Sequence, residues 1–144
     1  MRRYSIRGSL GAFACAALLA SSGCGDTVIL TPVEGVVKID GKPAANISIQ
    51  FLPDVMKGGK GPTSYATSDA DGKFKLQTYE GKDGAVPGSH RVVLVDIDEE
   101  RPAQGQAMKK RPRLDGRFSL PNAGLAAEVT AGSGQLLLEA TGPR

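Results

Sequence analysis

The chain has 144 residues, enough for one domain, and its 19 Gly and nine Pro point to many turns. Its net charge of +3 resides in Arg2, Arg3 and Arg7, and the fifteen remaining basic residues balance fifteen acidic ones, which excludes a nucleic-acid partner held by a strongly basic face. The only cysteines are Cys15 and Cys24, so the rest of the chain offers neither a disulfide nor a thiolate metal site.

Residues 1–23 have the three parts of a secretory signal. MRRYSIR carries three arginines, Leu10–Ala20 is uncharged and apolar, and Ser21-Ser22-Gly23 is small. The apolar run is shorter than the roughly 20 residues a membrane-spanning helix needs, which predicts a removable leader. Leu18-Leu19-Ala20-Ser21-Ser22-Gly23-Cys24 resembles a bacterial lipobox, with Ser21 where leucine is commonest. The resemblance implies cleavage after Gly23, diacylglycerol on the Cys24 thiol and acylation of the new amine. Gly25 rather than Asp follows the cysteine, which in lipoproteins of the enterobacterial type leans toward the outer membrane. The other reading is an ordinary secretory signal whose cleavage leaves a soluble protein. Residues 24–32 are expected to form a tether.

Period-two alternation begins at Val33. Val33, Gly35, Val37 and Ile39 share one face, as do Ile47, Ile49 and Phe51, then Phe74 and Leu76, then Leu125, Ala127 and Val129. Val92–Val95 is continuously apolar, as a strand covered on both sides would be, and Leu136–Leu138 closes the set. Asp40-Gly41 and Asp71-Gly72 are turn signals, because glycine accepts a positive φ without steric cost. Breaks also fall at Gly84–Gly88 and Ala131–Gly134. No sustained helical period follows the leader. The pattern predicts an all-β fold, a single seven-stranded Greek-key sandwich over residues 33–144, with strands near 33–39, 46–52, 63–68, 73–78, 89–96, 124–130 and 134–140. Residues 96–121 are left as a long, charge-segregated loop: Asp96, Asp98, Glu99 and Glu100, then Lys109, Lys110, Arg111, Arg113 and Arg117.

The order Val33-Glu34-Gly35-Val36-Val37, Asp40-Gly41-Lys42-Pro43, Ile47–Pro53, Thr67–Phe74, Gly84–Gly88 and Val92–Val95 is similar to that of the carboxypeptidase regulatory-like, transthyretin-like β-sandwich. It particularly resembles the short lipoproteins of Planctomycetes-type bacteria that carry this domain. The likeness extends over about Val33 to Ala140. Phe118-Ser119-Leu120-Pro121 stands where that family often has an Ile-Pro-x-x-Tyr step, and the tyrosine is missing. The resemblance implies a fold and a place in the cell envelope, and no catalysis.

Residue chemistry leads the same way. His90 is the only histidine and opens an apolar strand, which favours a strand-edge role over general-base or metal work. Transthyretin-like hydrolases use several histidines, and intradiol-type dioxygenases hold iron with two. Ser64, Ser68 and Ser89 lie outside any Gly-x-Ser-x-Gly elbow. Asp69-x-Asp71-Gly72 opens like a calcium loop but lacks its later ligands. Carbohydrate binding usually rests on exposed aromatic rings, and only Tyr65, Tyr79, Phe51, Phe74 and Phe118 follow Cys24, two of them alternating into the core. Asn46-Ile47-Ser48 is a glycosylation sequon by pattern alone. The expected protein is a noncatalytic, lipid-anchored envelope module with a structural role or a protein or polymer partner. It needs no cofactor and meets the membrane through Cys24. The alternative is a small-ligand or cation-binding lipoprotein that uses the 96–121 loop.

Overall fold

A computed structural model describes residues 27–99, 111–132 and 135–144. Gly23, Cys24, the leader and residues 100–110 lie outside the described residues. Nine strands form two sheets: β1 (Glu34–Ile39), β2 (Lys42–Pro43), β3 (Ile47–Pro53), β4 (Ser64–Thr67), β5 (Lys73–Lys75), β6 (Gln77–Thr78), β7 (Gly88–Asp96), β8 (Leu125–Val129) and β9 (Leu136–Ala140). Two short 3-10 turns, Val55–Lys57 and Gly116–Ser119, are the remaining elements among the described residues.

In the first sheet β1 is central. β9 runs parallel to it from Gly35↔Leu136 to Ile39↔Ala140. A strand has two edges, so β5 (Glu34↔Lys75) and β2 (Ile39↔Lys42) share the other one. The second sheet has the order β6-β4-β3-β7-β8, antiparallel throughout. The chain changes sheet between β2 and β3, β4 and β5, β5 and β6, and β8 and β9. The sandwich is held by the facing rows read from the alternation: Val33, Val37 and Ile39 against Ile47, Ile49, Phe51, Val92 and Leu94, with Phe74, Leu76, Val129 and Leu138 closing the core.

Asp40-Gly41 is the two-residue link of the β1–β2 hairpin, with positive φ at both positions (50° and 78°), as a type I′ turn requires. Asp71-Gly72 turns differently. The Asp69 carboxylate accepts the Asp71 and Lys73 N–H groups, both at 2.9 Å, and Gly72 alone has positive φ. This turn carries the chain from one sheet to the other.

Two sequence expectations are revised. The strand expected over 73–78 is two strands, because Leu76 donates its N–H to the Val33 carbonyl and accepts from Gly84 N–H while its side chain is fully buried. β5 therefore stays on β1, and β6 crosses to β4. The described end of the 96–121 loop is not a solvated arm. Leu114 and Phe118 are buried in the core, and the turn Gly116–Ser119 packs on β7.

Candidate functional site

Strand direction sorts the connections to two poles. At the first lie the start of β1, the β3–β4 connection, residues 79–87 and the end of β8. At the second lie the β1–β2 turn, the end of β7 and the C-terminal residues. The N-terminal segment is fixed to the first pole by Thr31, which exchanges backbone hydrogen bonds with Ala85 at 2.8 and 3.0 Å. The charged 96–121 segment emerges at the other pole, a strand length away.

There Arg113 meets Asp96 and Asp98, charges from the two ends of the loop. The Arg113 guanidinium donates through Nε to Asp96 Oδ2 at 2.7 Å and through its terminal nitrogen to Asp96 Oδ1, to Asp98 Oδ2 at 3.3 Å and to the Ala45 carbonyl at 3.2 Å. Asn46, at positive φ, donates to both Asp98 oxygens. The Asp96 side chain is only 2% exposed, so the fork-on-carboxylate pairing sits in a poorly solvated place and raises the Arg113 pKa above its ordinary value. Arg111 donates to the Pro143 carbonyl, and Arg117 donates to Thr141 while lying over the Phe118 ring. Arg111 and Arg117 thus bind the C-terminal segment to the body, and Arg113 binds the end of β7. A groove of about 530 Å³ beside them is lined by Asp40, Lys42, Arg111, Arg113 and Gly142. Glu100, Lys109 and Lys110 lie outside the described residues.

His90 is interior rather than at an exposed edge. Its Nδ1–H donates to the Gly88 carbonyl at 3.0 Å, its ring lies 5.7 Å from that of Phe51, and its Nε2 is buried without a partner. Burial lowers its pKa, against the opposing pull of the Gly88 carbonyl. Ser64 Oγ is also buried and unpartnered, but the Phe51 position lies between the two on β3. Ser68 is occupied structurally: its hydroxyl accepts from Ile47 N–H and donates to the Ala44 carbonyl. Ser89 donates to Glu128 on the outer face. Among the described residues no group of three or more His, Cys, Asp or Glu is placed to hold a metal ion.

The feature best suited to recognition lies on the outer face of β4 and β6. Tyr65 and Tyr79 stack with centroids 4.7 Å apart and planes tilted by 33°, and Tyr79 is 75% exposed. Beside Tyr65 a cleft of about 490 Å³ is lined by Glu34, Thr67, Lys73, Lys75 and Gln77. Lys75 donates to Asp83 at 2.6 Å and Gln77 donates to the other Asp83 oxygen at 3.1 Å. The hydrogen bond raises the Lys75 pKa and lowers that of Asp83. An aromatic plane bordered by fixed donors and acceptors can stack on an apolar ring face and bond its polar rim. Sequence reading named both tyrosines but could not pair them, since the stack depends on the register Tyr65↔Gln77 across a break in the expected strand.

Comparison with family models, with curated proteins and with solved structures returns no match.

Proposed function

We propose that this chain is a noncatalytic, lipid-anchored protein of the bacterial cell envelope, whose sandwich is an interaction or structural module of the carboxypeptidase regulatory-like, transthyretin-like type. The observation that carries the reading is the join between leader and fold. A complete export signal ends in a lipobox-like cysteine, and only seven residues later Thr31 is hydrogen-bonded into the sandwich. A chain so short can hold the domain close to a bilayer. The domain type is supported by the order of the strands and turns. The Tyr65–Tyr79 face supports a polymer or protein partner. Gly25 favours the outer membrane.

Mass spectrometry of the membrane-extracted protein tests the reading. The expected product begins at Cys24 and carries acyl chains, and Cys24→Ser moves the protein to the soluble fraction. An unmodified Cys24, or a retained leader, would end it. The alternative, a cation held by the acidic half of the 96–121 loop, is disfavoured because Asp96 and Asp98 turn their carboxylates to Arg113 and Asn46. Calcium is therefore expected to leave the melting temperature unchanged.

A further inference from the structure

At the pole where the N-terminal segment leaves, the β3–β4 connection holds two large apolar side chains in water. Val55 is 75% exposed and Met56 82%. The turn that presents them is built rather than loose. Asp54 caps it, its side chain accepting Met56 N–H while its carbonyl accepts Lys57 and Gly59 N–H. Gly58 closes it in the left-handed region, and Gly59 lies against the Asp54 backbone with no room for a Cβ. Asp54 is itself anchored by its N–H to the Ser89 carbonyl and by Arg91 at 3.4 Å from its carboxylate. A tip of adjacent apolar residues held out by a fixed backbone costs solvation that only a covering surface recovers.

What lies nearby identifies the cover. Val28 (48% exposed) and Ile29 (73%) lie on the segment that enters the same pole, four and five residues after Cys24. Gly61 of the tip connection packs on Val86, next to the Ala85 that pins Thr31. At about 3.3–3.6 Å per residue, Thr31 stands no more than roughly 25 Å from Cys24. Lys57 and Lys60 are exposed beside the tip and the Asp54 carboxylate is withdrawn toward Arg91, while Glu80 and Asp83 at the same pole are paired with Lys82 and Lys75, so the charge next to Val55 and Met56 suits an anionic headgroup surface.

We propose that this pole is a membrane-contact face, with Val55 and Met56 immersed at the headgroup boundary of the bilayer that holds the Cys24 lipid. The proposal rests on the lipid-anchor reading. It orients the domain: the end of β7, Arg111–Arg117 and the C-terminal groove face away from the membrane.

The test uses the full chain, extracted from membranes and reconstituted in phosphatidylethanolamine–phosphatidylglycerol vesicles with spin-labelled lipid. Met56→Cys and, at the far pole, Lys42→Cys each carry an environment-sensitive fluorophore. Both positions are exposed, so the fold is kept. Mass spectrometry of the same sample reports the lipid on Cys24. The expected result is a blue-shifted emission at position 56 and several-fold stronger quenching there than at position 42. With the lipid present, equal quenching at both positions overturns the contact face and leaves the anchor standing; so does a position-56 shift that depends on protein concentration and not on lipid, which would make a second copy the cover. Without the lipid, the anchor reading falls by itself, and quenching at position 56 in added vesicles still decides the tip.

Discussion

His90 links a residue's burial to the pH dependence of the whole domain. Protonation would place an unpartnered Nε2–H in the core, so the folded state resists it and the pKa falls below 6.5. Above that pH both states are neutral and the ring contributes no pH dependence. As pH falls below it, the unfolded chain takes up a proton that the folded chain refuses, and stability declines until the folded pKa is reached. The melting temperature is expected to drop between about pH 7 and pH 5, ahead of carboxylate titration. His90→Phe should flatten that part of the profile. A profile unchanged by the substitution would show that another group carries it.

Ser64 is the simpler case. Its buried hydroxyl has no partner, and an unsatisfied buried polar atom costs about 1–3 kcal/mol. Ser64→Ala is expected to stabilise the domain by about 1 kcal/mol in chemical denaturation. Arg113 has the opposite sign. Arg113→Met leaves the buried Asp96 carboxylate without its guanidinium. Breaking a fully buried pair costs about 3–5 kcal/mol, and the loss here should be nearer 2 because the Arg113 side chain is 35% exposed.

The elements were legible to different depths. β1, β3 and β8 follow the alternation, and β7 its continuous apolar run, within a residue or two of the expected bounds, because a strand records locally which of its faces are buried. Asp40-Gly41 was legible for a similar reason: two successive positive φ values admit few residue pairs. The β5–β6 break was not. Leu76 continues the alternation of Phe74, and only its bonds to Val33 and Gly84, distant in sequence, turn the chain toward the other sheet. The parallel β1–β9 pairing was equally silent, since no local pattern names a partner. That pairing depends on Gly35, where a Cβ would run into the Leu136 carbonyl oxygen and the Phe74 ring. Gly35→Val is expected to cost about 3 kcal/mol or more and to expose β9 amides to hydrogen exchange first. Exchange lost evenly across both sheets would contradict that order.

For the molecule as a whole, the two poles matter more than any single pocket. The basic cluster Lys109–Arg113 is by its charge a patch suited to anionic headgroups. The fold sends its described part to the pole opposite the N-terminal segment, where Arg111, Arg113 and Arg117 bind the protein's own chain. On that geometry, replacing Arg111 should leave vesicle association unchanged across salt concentrations, whereas replacing Lys57 and Lys60 should weaken the contact of the tip. Tyr79→Ala is expected to spare stability and reduce capture of an envelope polymer or partner, because its ring is mostly exposed and stacks on Tyr65.

Sequence alone determined the class of the fold and most strand positions, because alternation and turn chemistry are properties of neighbouring residues. Tertiary structure decided which strands pair, that Arg113 closes on Asp96 and Asp98, that two tyrosines share a face, and which end of the sandwich the N-terminal segment enters. Each of those rests on residues far apart in the chain, whose approach depends on the packing of the core and not on local pattern.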